Sequence, residues 1–342
     1  MRYSDDEINF YGCSREPRGD ESLEAFFFNV TQLTDNDIWI PPGFDQNGCG
    51  TTITNPEGVG IRQGAVKDKL EEDSWSYKAG LDWFVTEDVM LYGSLSRGFK
   101  SGGFPNLPAN VDTQYDPTLQ EQLDAAEVGT KATLLDGTMQ LNASAYYYKY
   151  EDKQLQGTIL DPTFGVFRLL QNVPGSNVYG AEFDMQWQPL DGLYLSLGGS
   201  YVDSEVEEYT GPNAYGKILV FDVSPFLFTS KYQANALVNY EWPITGNLNT
   251  FVGADASYSD DINTDYEPES GSIDPDFVMD SYTVVGARLG IAEPTGKWGV
   301  MVWGRNLTDE EYTNNVQKTL DAVVQFSGMP RTYGVTVNYA YF

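Results

Sequence analysis

The sequence predicts an all-β chain: an antiparallel up-and-down β-barrel that crosses a membrane on its strands. Three observations predict it. Apolar and polar residues alternate with a period of two, over segments too long for an ordinary sandwich, whose strands average about 5 to 6 residues. The connections between segments alternate strictly between very short and very long, which is how outer-membrane barrels sort their loops between two rims. Tyrosine closes the apolar faces at their ends, and the chain is rich in aromatic residues, with 23 Tyr and 18 Phe.

The last thirteen residues, PRTYGVTVNYAYF, show all of this at once. Tyr333, Val335, Val337, Tyr339 and Tyr341 share one face, and Thr336, Asn338 and Ala340 share the other. Tyrosine favours a level where its ring is in hydrocarbon and its hydroxyl is wet. Eight residues at about 3.3 Å rise and roughly 40° tilt span about 20 Å, close to the apolar band of such a barrel. Phe342 ends the chain one residue out of phase with Tyr341 and Tyr339.

Composition excludes several classes. A net charge of −30 argues against binding nucleic acid through phosphate neutralisation. The chain has no histidine, which removes Ser-His-Asp and Cys-His catalysis and any histidine-bearing metal site. No catalytic residue, metal site or cofactor is predicted, and the chain is not read as an enzyme. Mean hydropathy is −0.37, and no run is long and apolar enough for a transmembrane helix. A barrel needs only one apolar face per strand, so its mean hydropathy looks soluble. The start, MRYSDDEINFYG, has no apolar core of a signal peptide, so a secreted protein would need an upstream segment.

Residues 1–72 read as one polar, irregular extracellular loop region, with a short strand at EAFFFNV (24–30). From residue 73 to 342 the barrel texture holds. Trp75, Tyr77, Ala79, Leu81 and Trp83 alternate with Ser76, Lys78, Gly80 and Asp82, and VMLYGSLSRGF (89–99) runs back. Later strands follow Ala126–Val128–Thr130, Leu141–Ala143–Ala145, Phe183–Met185–Trp187, Leu193–Leu195–Leu197, Ala234–Ala236–Val238 and Val252–Ala254–Ala256. Tight turns are marked at 86–88, Asp136–Gly137, Asp191–Gly192, 245–247 and 294–297. Long connections are read at 100–122, 151–175, 203–230, 259–279 and 308–329. This reading counts eleven strands of about 10 to 13 residues. An odd count implies part of a barrel, since a complete bacterial barrel has an even one.

Four segments in order, SRGFKSGGF (96–104), EVGTK (127–131), WGRNLTDEEY (303–312) and the terminal strand, resemble the C-terminal half of TonB-dependent outer-membrane receptors. The resemblance covers roughly residues 73–342 and implies the last eleven strands of a barrel of about 22. It implies an outer-membrane transporter of a Gram-negative bacterium that imports a scarce solute such as a siderophore, vitamin or oligosaccharide. The implied partners are an unknown small-molecule ligand, outer-membrane lipid and lipopolysaccharide, an N-terminal plug and barrel half outside this sequence, and the TonB energy-coupling complex. The competing readings are a passive outer-membrane channel and a barrel-anchored surface adhesin or enzyme.

Candidate ligand-path residues follow from strand phase. Lys78, Asp82, Glu127, Lys131, Glu182, Asp184, Asp255, Arg288 and Arg305 fall on inward faces, where they line a solute path or simply pair in a wet wall. Arg97 and Lys100, at the outer end of a strand, contact an anionic ligand or lipopolysaccharide phosphate, or shape the loop. Tyr146, Tyr148 and Tyr150 stack on a sugar or aromatic chelator, or fill space against neighbours. Residues 259–281 hold eight acids and no base, suited to a solvated loop or to calcium, though without the spacing of a calcium-binding loop. Cys13 and Cys49, in a loop exposed to an oxidising compartment, are expected to pair, two free thiols being the alternative.

Overall fold

The computed structural model describes residues 1–13, 49, 51–54, 61–105, 112–161, 165–207, 209–212, 218–221, 225–264, 275–319 and 322–341. Among these, twelve strands form one sheet in chain order. They are β1 (Arg2–Gly12), β2 (Val66–Phe84), β3 (Val89–Lys100), β4 (Glu121–Leu134), β5 (Met139–Asp161), β6 (Gly165–Leu190), β7 (Leu193–Val206), β8 (Tyr232–Thr245), β9 (Leu248–Ser259), β10 (Tyr282–Ala292), β11 (Trp298–Arg305) and β12 (Thr332–Tyr339). Neighbouring strands pair antiparallel, as an up-and-down barrel requires. The only helical pieces among the described residues are two single turns, at Asp112–Tyr115 and Pro275–Phe277. No helix is long and apolar enough to cross a membrane, which says nothing of crossing by strands.

The short turns fall where the sequence marks them. Gly137, Gly192 and Gly296 take φ of +87°, +81° and +79°, conformations open to glycine and closed to most residues. On the opposite rim the longer connections carry two-stranded ribbons of their own. These pair Thr52–Thr54 with Ile61–Gln63, Tyr209–Pro212 with Ile218–Phe221, Ile262–Asn263 with Val278–Met279, and Thr313–Thr319 with Ala322–Ser327.

Three readings need correction. The sheet has twelve strands, not eleven: Arg2–Gly12, inside the stretch read as loop, pairs along its whole length with Val66–Ser76. Its charges hide the alternation. Asp5, Asp6 and Glu7 follow one another, and Glu7 pairs with Lys69 across the strands at 3.3 Å. For the same reason β2 begins at Val66, ahead of residue 73. The segment read as a long loop at 151–175 is largely strand, because β5 runs to Asp161 and β6 starts at Gly165. The strand expected at 24–30, residue 342 and the acids of 265–274 lie outside the described residues.

The chain forms two compact units. The first comprises Met1–Tyr77, Gly98–Gln122 and Glu151–Pro174. Side-chain hydrogen bonds stitch it together. The Glu72 carboxylate accepts the amides of Gly102 (2.8 Å) and Gln120 (2.5 Å). The buried Gln154 side chain donates to the carbonyls of Ser101 and Leu119. Phe10 stacks on Phe104 with ring centres 4.4 Å apart, and Cys13 and Cys49 are joined by a disulfide, their Cα atoms 5.1 Å apart.

The second unit, Lys78–Arg97, Leu123–Tyr150 and Gly175–Phe342, holds the rest of the sheet. Its small apolar core, Phe277, Met279 and Val316 with Ile262 against them, lies in the ribbons beyond the strands. The sheet itself keeps its largest apolar side chains exposed. Leu81, Leu95, Val128, Val335 and Val337 are 60–74% exposed. An apolar surface of that extent on a monomer is a partner or membrane face.

Candidate functional site

Strand alternation gives the second unit two different faces. On β12, Tyr333, Val335, Val337 and Tyr339 point outward, with tyrosine at both ends. Between them Gly334, Thr336 and Asn338 face the other way, and the Trp303 indole N–H donates to Thr336 Oγ1 at 3.1 Å. The same division runs across the sheet, so the candidate site is the polar, inward face.

A hollow of about 800 Å³ lies on that face and spans β3 to β10. Its polar wall is made by Lys131, Asn142, Ser144, Glu182, Asp184, Ser200 and Asn235. Ser144 Oγ donates to Glu182 at 3.2 Å, and the Tyr92 hydroxyl donates to Glu127 at 2.6 Å. Hydroxyls, amides and carboxylates dominate the wall, so it offers hydrogen bonds to a polar solute or protein segment. Among the described residues no group of acids and cysteines is arranged to hold a metal ion.

Glycine shapes the inward face of the sheet. Long inward side chains lie across glycines of the neighbouring strand, where a Cβ would collide with them. A Cβ on Gly129 would fall 2.6 Å from the Tyr92 ring, one on Gly180 2.5 Å from Tyr146 Oη, and one on Gly253 2.8 Å from Arg288 Nε. Trp303 covers Gly334, and Asp255 lies over Gly286, in the same way. These side chains therefore lie flat against the inward face.

The predicted site residues are dispersed. Tyr146 and Tyr148 stack with ring centres 4.6 Å apart, and Tyr150 meets Phe226 edge-on at 6.5 Å. Arg288 donates to Asn239 Oδ1 at 3.4 Å, and Arg305 sits 5.3 Å above the Trp303 ring. Lys100, the last residue of β3, is exposed. Arg97 alternates with Leu91 and Leu95 and so falls on the outward face. There it forms a two-bond ion pair with Asp124, Nε to Oδ1 at 2.6 Å and Nη2 to Oδ2 at 2.5 Å. The hollow is lined by none of these seven residues.

Sequence reading also missed what WGRNLTDEEY does. Asn306 is 2% exposed, and its amide donates to the carbonyls of Glu310 and Met329 while its oxygen accepts the Glu310 amide at 2.8 Å. The segment is a loop anchor. An Asn–Leu–Thr–Asp run after a strand is the available signal, since Asn readily takes the φ of +49° found there.

Comparison with known proteins places the chain in a family. The family model described as TonB dependent receptor-like, beta-barrel, matches residues 43–307, and the chain belongs to that family. The probable TonB-dependent siderophore receptor PiuA of Acinetobacter baumannii is 27% identical over 211 residues, 59% of this chain and 26% of that protein. Among solved structures, the ferric yersiniabactin uptake receptor FyuA from Yersinia pestis is similar over 82% of this chain and 39% of its own, at 18% identity and a TM-score of 0.61. The ferric-catecholate import receptor Fiu from K12 E. coli matches 98% of this chain and 41% of its own, at 18% identity and a TM-score of 0.55. The chain thus spans about a quarter of the curated relative and about two-fifths of these structures. At such identity the structures show the fold.

Proposed function

We propose that this chain is the C-terminal portion of the barrel of an outer-membrane receptor that imports a scarce solute, a siderophore-type metal chelate, with energy delivered through TonB. The observation that carries this reading is the two-faced sheet. Its outward side chains are apolar with aromatic ends, suited to lipid, and its inward side chains are polar and line an open hollow. The family match and the siderophore receptors among the similar proteins support the choice of solute. Under this reading the cell is a Gram-negative bacterium, outer-membrane lipid covers the outward face, and a plug from the N-terminal part of the polypeptide occupies the inward one. Arg288, Arg305 and the Tyr146–Tyr148 pair border the solute path.

In the described sheet β12 pairs on one side only, and Tyr77–Phe84 of β2 extends past its pairing with β1. Hydrocarbon cannot satisfy such an edge. Residues 1–342 alone should therefore aggregate or pair edge to edge in lipid vesicles, and a stable monomeric pore from this chain would count against the reading. The decisive experiment uses the complete gene in a strain lacking other receptors. Uptake of a ferric chelate should appear and should stop when the proton gradient is collapsed. Uptake that continues without the gradient would identify a passive channel instead.

A further inference from the structure

The inward hollow and two of the outer ribbons meet on the same side chains. Strand register sets Glu182, Ser200, Gln233, Ser259 and Tyr282 in one row across β6 to β10, and all five line the hollow. The row ends on Tyr282, which also stacks on Tyr312 with ring centres 4.4 Å apart. Tyr312 is the root of the ribbon Thr313–Thr319/Ala322–Ser327. Its carbonyl accepts the Gly328 amide at 2.7 Å, and its hydroxyl accepts the Met329 amide at 3.3 Å.

Ile262 has the same double role. It lines the hollow, and it packs against Phe277, Met279 and Val316. Ile262 and Met279 belong to the ribbon between β9 and β10, whereas Val316 belongs to the one between β11 and β12. One apolar core therefore joins both ribbons, and a close-packed core transmits a shift of one to the other. The root of the first is incompletely satisfied. The Asn263 carbonyl accepts the Phe228 amide at 2.8 Å, but its side-chain Oδ1 is buried and meets no donor among the described residues. The cost of that unpaired acceptor narrows the gap to a second arrangement in which Oδ1 finds a donor.

We propose that the two ribbons form one body whose seating is set from inside the barrel. A polypeptide segment in the hollow pins Tyr282 and Ile262 and holds both ribbons in place; when it leaves, they loosen together. The wall suits backbone, which needs donors and acceptors at once: Lys131 and the amides of Asn142 and Asn235 donate, and Asp184 accepts. The inference rests on the plug placement proposed above, and it makes displacement of the plug detectable on the outer surface.

The test measures hydrogen exchange on the complete receptor in mild detergent, using the fraction that keeps its folded mobility on a gel. The reporters are the Thr264 amide, bonded to the Phe277 carbonyl at 2.8 Å, and the Gly328 amide. Asn142 is exposed on the wall, five strands from Tyr282, so Asn142→Trp displaces the segment without touching either ribbon. Both amides should then exchange about five-fold faster, while mid-sheet amides of β11 stay unchanged. Ser257 is exposed, lines the hollow and lies opposite Val284, two residues from Tyr282. Adding Ser257→Trp sets an indole beside Tyr282 and should restore slow exchange at both reporters, which a general loss of stability would not allow. Tyr282→Leu should loosen both and make them indifferent to Asn142→Trp. Unchanged exchange in Asn142→Trp, a response at one reporter only, or no restoration by Ser257→Trp would each overturn the coupling. Failure of ferric-chelate uptake would count against the proposed function alone, since the exchange measurement does not depend on transport.

Discussion

The outward and inward faces of the sheet are made by alternate residues of the same strands, yet they obey different rules. Outward side chains are mostly apolar and exposed. Inward ones are polar or aromatic and lie across a neighbour's glycine. The difference teaches what each environment demands. Lipid asks only for apolar area, so Leu, Val and Ala interchange there at little cost. The inward face must present hydrogen-bonding groups while leaving room, and it does so through pairs, one long side chain with one glycine on the next strand.

The largest expected effect tests which face is which. Leu195 lies opposite Val238, mid-sheet on the outward face, and Ser196 points inward. Leu195→Arg should cost about 2–4 kcal/mol in vesicle refolding of the complete barrel, as for a charge at the bilayer midplane. Ser196→Arg should stay within about 0.5 kcal/mol. Spin labels at the two positions should differ clearly in oxygen accessibility, and equal accessibility would refute the assignment.

Glycine gives the next contrast, between Gly180 on the inward face and Gly93 on the outward one. Gly180→Ala places a methyl group against Tyr146 and the Tyr201 carbonyl, so it should cost about 1–3 kcal/mol and unstack Tyr146 from Tyr148. Gly93→Ala, on the outward face, meets no close atom and should be neutral or stabilising by about 0.4–1 kcal/mol. Denaturation midpoints of the two variants decide it. Equal losses would show that the inward glycines serve backbone conformation, not side-chain seating.

Much of this contrast is legible in the sequence. A period of two assigns Val335 and Val337 outward and Thr336 and Asn338 inward without any structure. Asp136–Gly137 and Asp191–Gly192 mark their turns because few other residues tolerate the backbone there. What stays hidden depends on register between strands. A glycine within a strand is silent until the residue beside it is known, so Gly180 under Tyr146 and Gly334 under Trp303 could not be read. Neither could the hollow, whose wall draws on eight strands although the inward phase of Asn142, Ser144, Glu182 and Asp184 was plain. Arg97 and Lys100 are near in sequence, yet strand phase puts Arg97 on the face of Leu95 and Lys100 on the other. β1 escaped because nothing apolar had to be exposed there.

A third test compares tryptophans. Trp303, inward, donates to Thr336 and carries Arg305 on its ring. Trp303→Phe should cost about 0.5–1.5 kcal/mol, the net worth of one hydrogen bond. Trp83 is outward and 61% exposed, and Trp83→Phe should stay within about 0.5 kcal/mol. If the two substitutions cost the same, the inward indole hydrogen bond contributes nothing measurable.

The smallest effect lies beyond both faces, in carboxyl groups outside the membrane-spanning segments, and there the sign decides. In the turn between β10 and β11, Glu293 accepts from the Thr295 hydroxyl at 2.5 Å and from the amides of Thr295 and Lys297. These bonds, the hydroxyl first, favour the charged form and hold its pKa below the ordinary Glu value. Its contribution is therefore present above that value and is lost as pH falls through the lowered one. Asp116, beside the Gly103–Thr118 bridge in the first unit, behaves oppositely. Burial, then the charges of Asp112 and Asp68, push its carboxyl above the ordinary Asp value. Its protonated form is favoured in the folded state, so that contribution is complete below the ordinary value and is lost as pH rises through the raised one. Hydrogen exchange, corrected for the intrinsic rate, reads both. On acidification through the carboxylate range the Thr295 and Lys297 amides should lose protection while those of Gly103 and Thr118 gain it. Glu293→Gln and Asp116→Asn should each abolish their own response and leave the other unchanged. Responses of the same sign at the two places would show that pH acts through the net charge of the whole chain rather than through these two groups.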